Sequence, residues 1–180
     1  MKNSRKTVML AKMGMMAAIA VIFSLIHFPI LPTAPFLEYE ASDIPVLISA
    51  FAFGPLPGLV IGGVSILLHD MVFAPSSGPY GMIMHVIALA SYVLVAGFIY
   101  RKFKTKKGAV IALIAGGLAV AAIMIPANIF VTPHFMGVPV AAVYDMLPTA
   151  IIPFNLIKAT ITIVLVFIIY KRISPFLHKW

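Results

Sequence analysis

A lysine inside an apolar run is the residue here that first asks for a chemical role. Lys158 lies in "IIPFNLIKATITIVLVFIIYKR", Ile151 to Arg172, where its neighbours Ile157 and Ala159 offer it no partner. A charge at bilayer depth costs on the order of 3 kcal/mol on insertion scales and marks function by default. Its ammonium has three donors and no acceptor. Asn155, three residues earlier, shares its helix face. Asn128 stands in "MIPANIFVTP", after Pro126, which removes a helical hydrogen bond and opens a carbonyl. Asparagine both donates and accepts. Lys158, Asn155 and Asn128 together suit the amide-like edge of a planar heterocycle. A structural account competes with that one: the lysine snorkels to an interface, and the asparagines join helices at about 0.6–2 kcal/mol each.

A second group lies in "PTAPFLEYEASDIP". Phe36 and Tyr39 offer stacking surfaces, and Glu38 and Glu40 offer acceptors. Ser42 before Asp43 and Pro45 reads as a helix start with Ser42 as the N-cap. Asp43 then has a structural role, since a carboxylate near a helix N-terminus complements its dipole. Glu40 has no such explanation. The histidines form a third group. His69 with Asp70, His85 and His134 all fall toward one face, where they would serve as metal ligands. Their spacing matches no compact metal motif, so interfacial histidines with ordinary partners are the competing account.

These residues need a scaffold, and composition says which kind. The 180 residues are 62% hydrophobic and 10% charged, where soluble domains run nearer half apolar and a quarter charged. The expected class is an all-α integral membrane protein, with residues 1–180 forming a single domain. There is no cysteine, so disulfide and thiolate chemistry are excluded. The basic, then apolar, start resembles a signal peptide without its cleavage site and is read as a retained first helix.

A span needs about 20 apolar residues. Six are expected: roughly Thr7–Ile30, a short one from Asp43 to Phe53, Pro57–Phe73, Tyr80–Tyr100, Gly108–Thr132 and Leu147–Tyr170. "GPLP" and "APSSGP" read as turns. With six spans, all 13 basic residues except Lys158 fall at one end, and all 5 acids at the other. The positive-inside rule makes the basic end cytoplasmic, with both termini there. His178 and Trp180 read as an interfacial anchor. Basic residues that flank apolar runs answer to a bilayer and not to nucleic acid.

Several chemistries lack their signatures. The sequence has no P-loop, no H-E-x-x-H and no G-x-S-x-G. No inverted repeat of broken helices suggests a self-sufficient transporter. What remains is a small membrane chain with an outward site and no engine of its own: a binding subunit that borrows its energy.

"YEASDIPVLISAFAFGPLPGLVIG", "PAN" and "PFNLIK" resemble the substrate-binding S components of energy-coupling-factor vitamin transporters, in particular the riboflavin type. The resemblance covers the whole chain. It implies an outward-facing pocket under the first outer loop and partnership with a membrane scaffold subunit and two ATPase subunits. It implies that Asn128 and Lys158 hydrogen-bond the polar edge of the flavin and that Asn155 lies beside them. It also implies that Leu37 to Ala41, with Tyr39 and Glu40, lie against the ligand. Docking to the scaffold would fall on small residues of the first helix, Ala11, Gly14 and Ala18, where small residues let helices approach closely; packing within this chain is the alternative. One departure stands out: His69 and Asp70 occupy the end of the third helix, where the family pattern expects a basic residue and an amide.

The expected function is high-affinity riboflavin binding for uptake across the cell membrane of a prokaryote, with no cofactor, no metal and no catalysis. The alternatives are FMN, another vitamin or heterocycle, or a metal held by His69, Asp70, His85 and His134. The acidic outer face favours uncharged riboflavin over FMN.

Overall fold

The computed structural model describes residues 2–73 and 78–177. Most of the expected turn over Ala74–Pro79, and the expected anchor at His178 and Trp180, lie outside the described residues. The chain forms α1 (Lys2–Ser24), a two-stranded hairpin of β1 (His27–Pro29) and β2 (Glu38–Glu40), α2 (Asp43–Phe53), α3 (Pro55–Phe73), α4 (Gly78–Lys102), α5 (Lys106–Met136), the short α6 (Val140–Met146), a π-helical turn (Leu147–Ile151) and α7 (Ile152–Leu177).

Five segments are long and apolar enough to cross a membrane: Lys6–Ser24, Pro55–Val72, Gly78–Lys102, Lys106–Met136 and Val140–Arg172. α2 is the sixth helix of the bundle, with only 11 residues. At 1.5 Å per residue it is about half as long as the ~30 Å hydrocarbon core. It is tolerated because protein surrounds it, every residue from Asp43 to Phe51 being buried. The outward faces of the long helices are apolar, with Leu10, Met71 and Phe130 each about two-thirds exposed or more. In water such a surface would be an aggregation patch; in lipid it is what a multi-pass protein presents.

Close approach fixes the bundle at two places. α5 meets α7 where Gly117 faces Ala159; a Cβ on Gly117 would stand 2.9 Å from the alanine Cβ. α2 turns into α3 through Gly54, whose φ of 105° is open to glycine and strained for other residues.

Three expectations need correction. The first helix ends at Ser24 rather than Ile30, because Pro29 removes a donor and biases Phe28 toward extended backbone. The segment after it is not pure loop. β1 and β2 pair antiparallel, with His27 opposite Glu40, Phe28 opposite Tyr39 and Pro29 opposite Glu38. The last span does not begin as one regular helix at Leu147. α6 and the π-helical turn precede α7, with Pro148 and Pro153 denying the backbone two donors at the junction.

Candidate functional site

The hairpin and the acidic ends of α3, α4, α5 and α7 enclose a cavity of about 160 Å³. Alternation along β2 decides what faces it. Side chains two apart share a face, so Glu38 and Glu40 both line the cavity. Tyr39 points the other way, 2% exposed, with its ring 5.4 Å from that of Phe28. Burial pushes the Tyr39 phenol above its ordinary value, so it stays neutral.

Lys158 has a partner that its own helix does not supply. Its Nζ lies 3.2 Å from Asp43 Oδ2, with side-chain exposures of 13% and 5%. Asp43 Oδ1 lies 3.5 Å from His85 Nε2, and His85 Nδ1 lies 3.3 Å from Glu40 Oε2. Ser42 Oγ donates to Glu40 Oε1. One chain of polar contacts therefore runs from β2 through α4 and α2 to α7. Breaking one partner out of a buried pair costs about 3–5 kcal/mol, because the other charge is stranded. This corrects two expectations. Ser42 occupies the capping position but makes no side-chain cap bond, its hydroxyl being engaged by Glu40. Asp43 is a counter-ion to Lys158, beyond any dipole role.

The two asparagines are anchored on their own helices. Asn128 Nδ2 donates to Met124 O, and its Oδ1 accepts from Thr132 Oγ1. The carbonyl it reaches is not that of Ala122, the one left open by Pro126. Asn155 Nδ2 donates to Ile151 O at the end of the π-helical turn. Each amide keeps a second hydrogen for the cavity, and both residues line it with Lys158. Facing them is an aromatic wall. Phe36, Tyr80, Phe135 and Phe154 line the cavity, and the Phe135 ring lies 6.3 Å from those of both Phe36 and Tyr80.

The rim holds a second polar group. His27 Nδ1 lies 3.0 Å from Glu38 Oε2 and His69 Nδ1 3.2 Å from Asp70 Oδ1. The two imidazole rings meet edge-on at 5.8 Å. Asp70 Oδ2 is buried without a hydrogen-bond partner among the described residues. Among the described residues, no three His, Asp or Glu side chains are placed to hold a metal ion. His85 has its carboxylates on opposite edges of the ring. His134 Nδ1 sits 2.8 Å from Phe130 O on its own helix, away from the cavity.

Of the residues picked out in the sequence, the structure brings Leu37, Glu40, Asn128, Asn155 and Lys158 around this cavity. Tyr39 and Ala41 are buried and do not line it, whereas the rings of Phe36, Tyr80, Phe135 and Phe154 do. Ala11, Gly14 and Ala18 are exposed on α1, and a Cβ on Gly14 would meet nothing within 4 Å. Among the described residues, nothing packs on that stripe at Gly14. Sequence reasoning missed the pairing of Asp43 with both Lys158 and His85. No local signal marked it, because an acid at a helix start suits the helix dipole as well as it suits a counter-ion.

The sequence model of the family "ECF transporter, substrate-specific component" matches residues 8–170. The chain is 29% identical to "Riboflavin transporter RibU" of Staphylococcus aureus (strain TCH60), across 98% of this chain and 96% of that one. It is 25% identical to "Riboflavin transporter FmnP" of Bacillus subtilis (strain 168), across 94% of each. A solved structure described as "Structure and mechanism of the S component of a bacterial ECF transporter" superposes with a TM-score of 0.83. That chain is 30% identical, over 97% of this chain and 99% of its own.

Proposed function

The chain belongs to the substrate-specific components of ECF transporters, and from that premise we propose that it captures riboflavin in the cavity at its acidic end for uptake into the cell. The observation that carries this reading is Lys158, held by Asp43 and flanked by Asn128 and Asn155 under the hairpin. An isoalloxazine ring offers carbonyls and an imide on one edge and an apolar face on either side. The ammonium and amide hydrogens suit that edge, and the aromatic wall suits the faces. Asp43 holds the lysine in place. The ligand is bound and released without covalent change.

The rim supports the uncharged vitamin over its phosphate. Glu38 and Asp70 place two carboxylates at the mouth, which suit hydroxyl donors and repel a phosphate. His69 and Asp70, the departure from the family pattern, tune selectivity in this account.

The basic residues at one end and the acids at the other support an orientation with the cavity on the outer side of the cell membrane and both termini in the cytoplasm. Energy comes from partners, a membrane scaffold and two ATPase subunits. The exposed Ala11–Gly14–Ala18 stripe supports α1 as their docking face: Gly14→Leu should leave flavin binding intact and abolish uptake.

The test is a fluorescence titration of the purified, ligand-free protein with riboflavin. Stacking on the aromatic wall should quench the flavin saturably at one ligand per chain, with FMN a weak competitor. Absence of quenching in folded protein would move the substrate to another small molecule.

A further inference from the structure

His85 faces a carboxylate from each of its ring nitrogens. Nδ1 lies 3.3 Å from Glu40 Oε2, and Nε2 lies 3.5 Å from Asp43 Oδ1. An ionised carboxylate only accepts hydrogen bonds. A neutral imidazole would turn a ring lone pair toward one of the two carboxylates, and only the imidazolium presents a hydrogen to each. Charge balance points the same way. Glu40, Asp43 and Lys158 sit together with side-chain exposures of 11%, 5% and 13%. With His85 neutral the group carries one uncompensated negative charge away from water. With His85 protonated it is balanced, which burial demands.

The connections matter as much as the charges. Glu40 belongs to the hairpin that roofs the cavity, His85 to α4, Asp43 to α2 and Lys158 to α7. Glu38, the other carboxylate of β2, pairs within the hairpin with His27. The Glu40–His85 pair instead ties the roof to a transmembrane helix. The other titratable groups lining the cavity are Tyr80 of α4 itself and His69 and Asp70 of α3, the last two paired with each other; α5 contributes Asn128 and Thr132, which do not titrate at these pH values.

We propose that protonated His85 is a positioning residue that latches the first outer segment shut over the cavity, so that the roof loosens when His85 loses its proton. The sign follows from the pairing. The latch holds while the imidazolium persists and is lost as pH rises through its deprotonation. The proposal rests on the geometry of the hairpin and the helices beneath it and does not depend on which ligand the cavity takes.

The test is amide hydrogen exchange of residues 37–41 in ligand-free protein, normalised to intrinsic exchange rates, between about pH 6 and about pH 9. Wild-type protection should fall by about tenfold or more across that range, the least expected when one buried ion-pair contact is lost. His85→Gln should be poorly protected at both ends. His85→Lys, which keeps a cation, should stay protected at both. Glu40→Gln removes the other half of the latch without touching the helices and should match His85→Gln. Thermal unfolding of each variant separates a loosened roof from a failed fold. A His85→Gln or Glu40→Gln roof as protected as wild type, or wild-type protection indifferent to pH, overturns the latch. Riboflavin dissociation should accelerate by the same factor wherever the roof loosens. A protein that never binds riboflavin would count against the proposed substrate, while the exchange result would still decide the latch.

Discussion

At the basic end of the bundle, Tyr100 and Tyr170 share a hydroxyl–hydroxyl hydrogen bond of 2.7 Å, and the Phe51 ring stacks on Tyr100 at 4.2 Å. At the acidic end, Lys158, Asp43, His85 and Glu40 stand around an open cavity. Both ends bury polar atoms between α2, α4 and α7. The basic end uses neutral groups in a packed aromatic cluster, each about 1% exposed for the two tyrosines. The acidic end uses full charges, which cost far more to desolvate, and leaves space beside them. Where only cohesion is needed, neutral hydroxyls suffice. Charges set beside a cavity are what a polar ligand would need.

That contrast predicts unequal effects of mutation. The largest should come from Lys158→Met, which strands Asp43: about 3–5 kcal/mol of stability, read as a fall in the thermal midpoint of the purified protein. Next come Asn128→Ala and Asn155→Ala. Each should weaken riboflavin by about 1–3 kcal/mol, the cost of a buried polar partner lost, with a smaller change in melting; calorimetric titration distinguishes the two. Tyr170→Phe, at the opposite end, should cost about 1 kcal/mol of stability and leave affinity untouched. If Tyr170→Phe weakened riboflavin as Asn128→Ala does, the division of labour between the ends would be lost. Smallest is Asp70→Asn. Removing one partly exposed rim charge should narrow the preference for riboflavin over FMN by only a few-fold, within the 0.2–1 kcal/mol or so typical of such charges, as competition titrations would show.

The same contrast explains what the sequence disclosed. Lys158, Asn128 and Asn155 were legible because polar side chains in apolar runs are expensive wherever the helix goes. The charge asymmetry made six helices legible even though α2 is too short to announce itself as a span. The pairing of Asp43 with Lys158 was not legible. An acid at a helix start has the same appearance whether it answers a dipole or a lysine more than a hundred residues on, and only tertiary packing tells them apart. Tyr39 went astray for a different reason. Three-residue strands carry almost no periodic signal, and without the strand nothing says that Tyr39 and Glu40 face opposite ways. The π-helical turn was hidden too, since Pro148 and Pro153 mark a break without giving its shape.

The central claim is that the charged group at the acidic end exists to hold a ligand and not to hold the fold. Asp43→Asn combined with Lys158→Met removes both charges of the pair, so neither is stranded and stability should recover toward wild type. Riboflavin titration of that double variant is the decisive measurement. The account predicts a folded protein that binds at least about tenfold more weakly. A folded double variant with wild-type affinity would contradict it, and would return Lys158 and Asp43 to the architecture of the bundle.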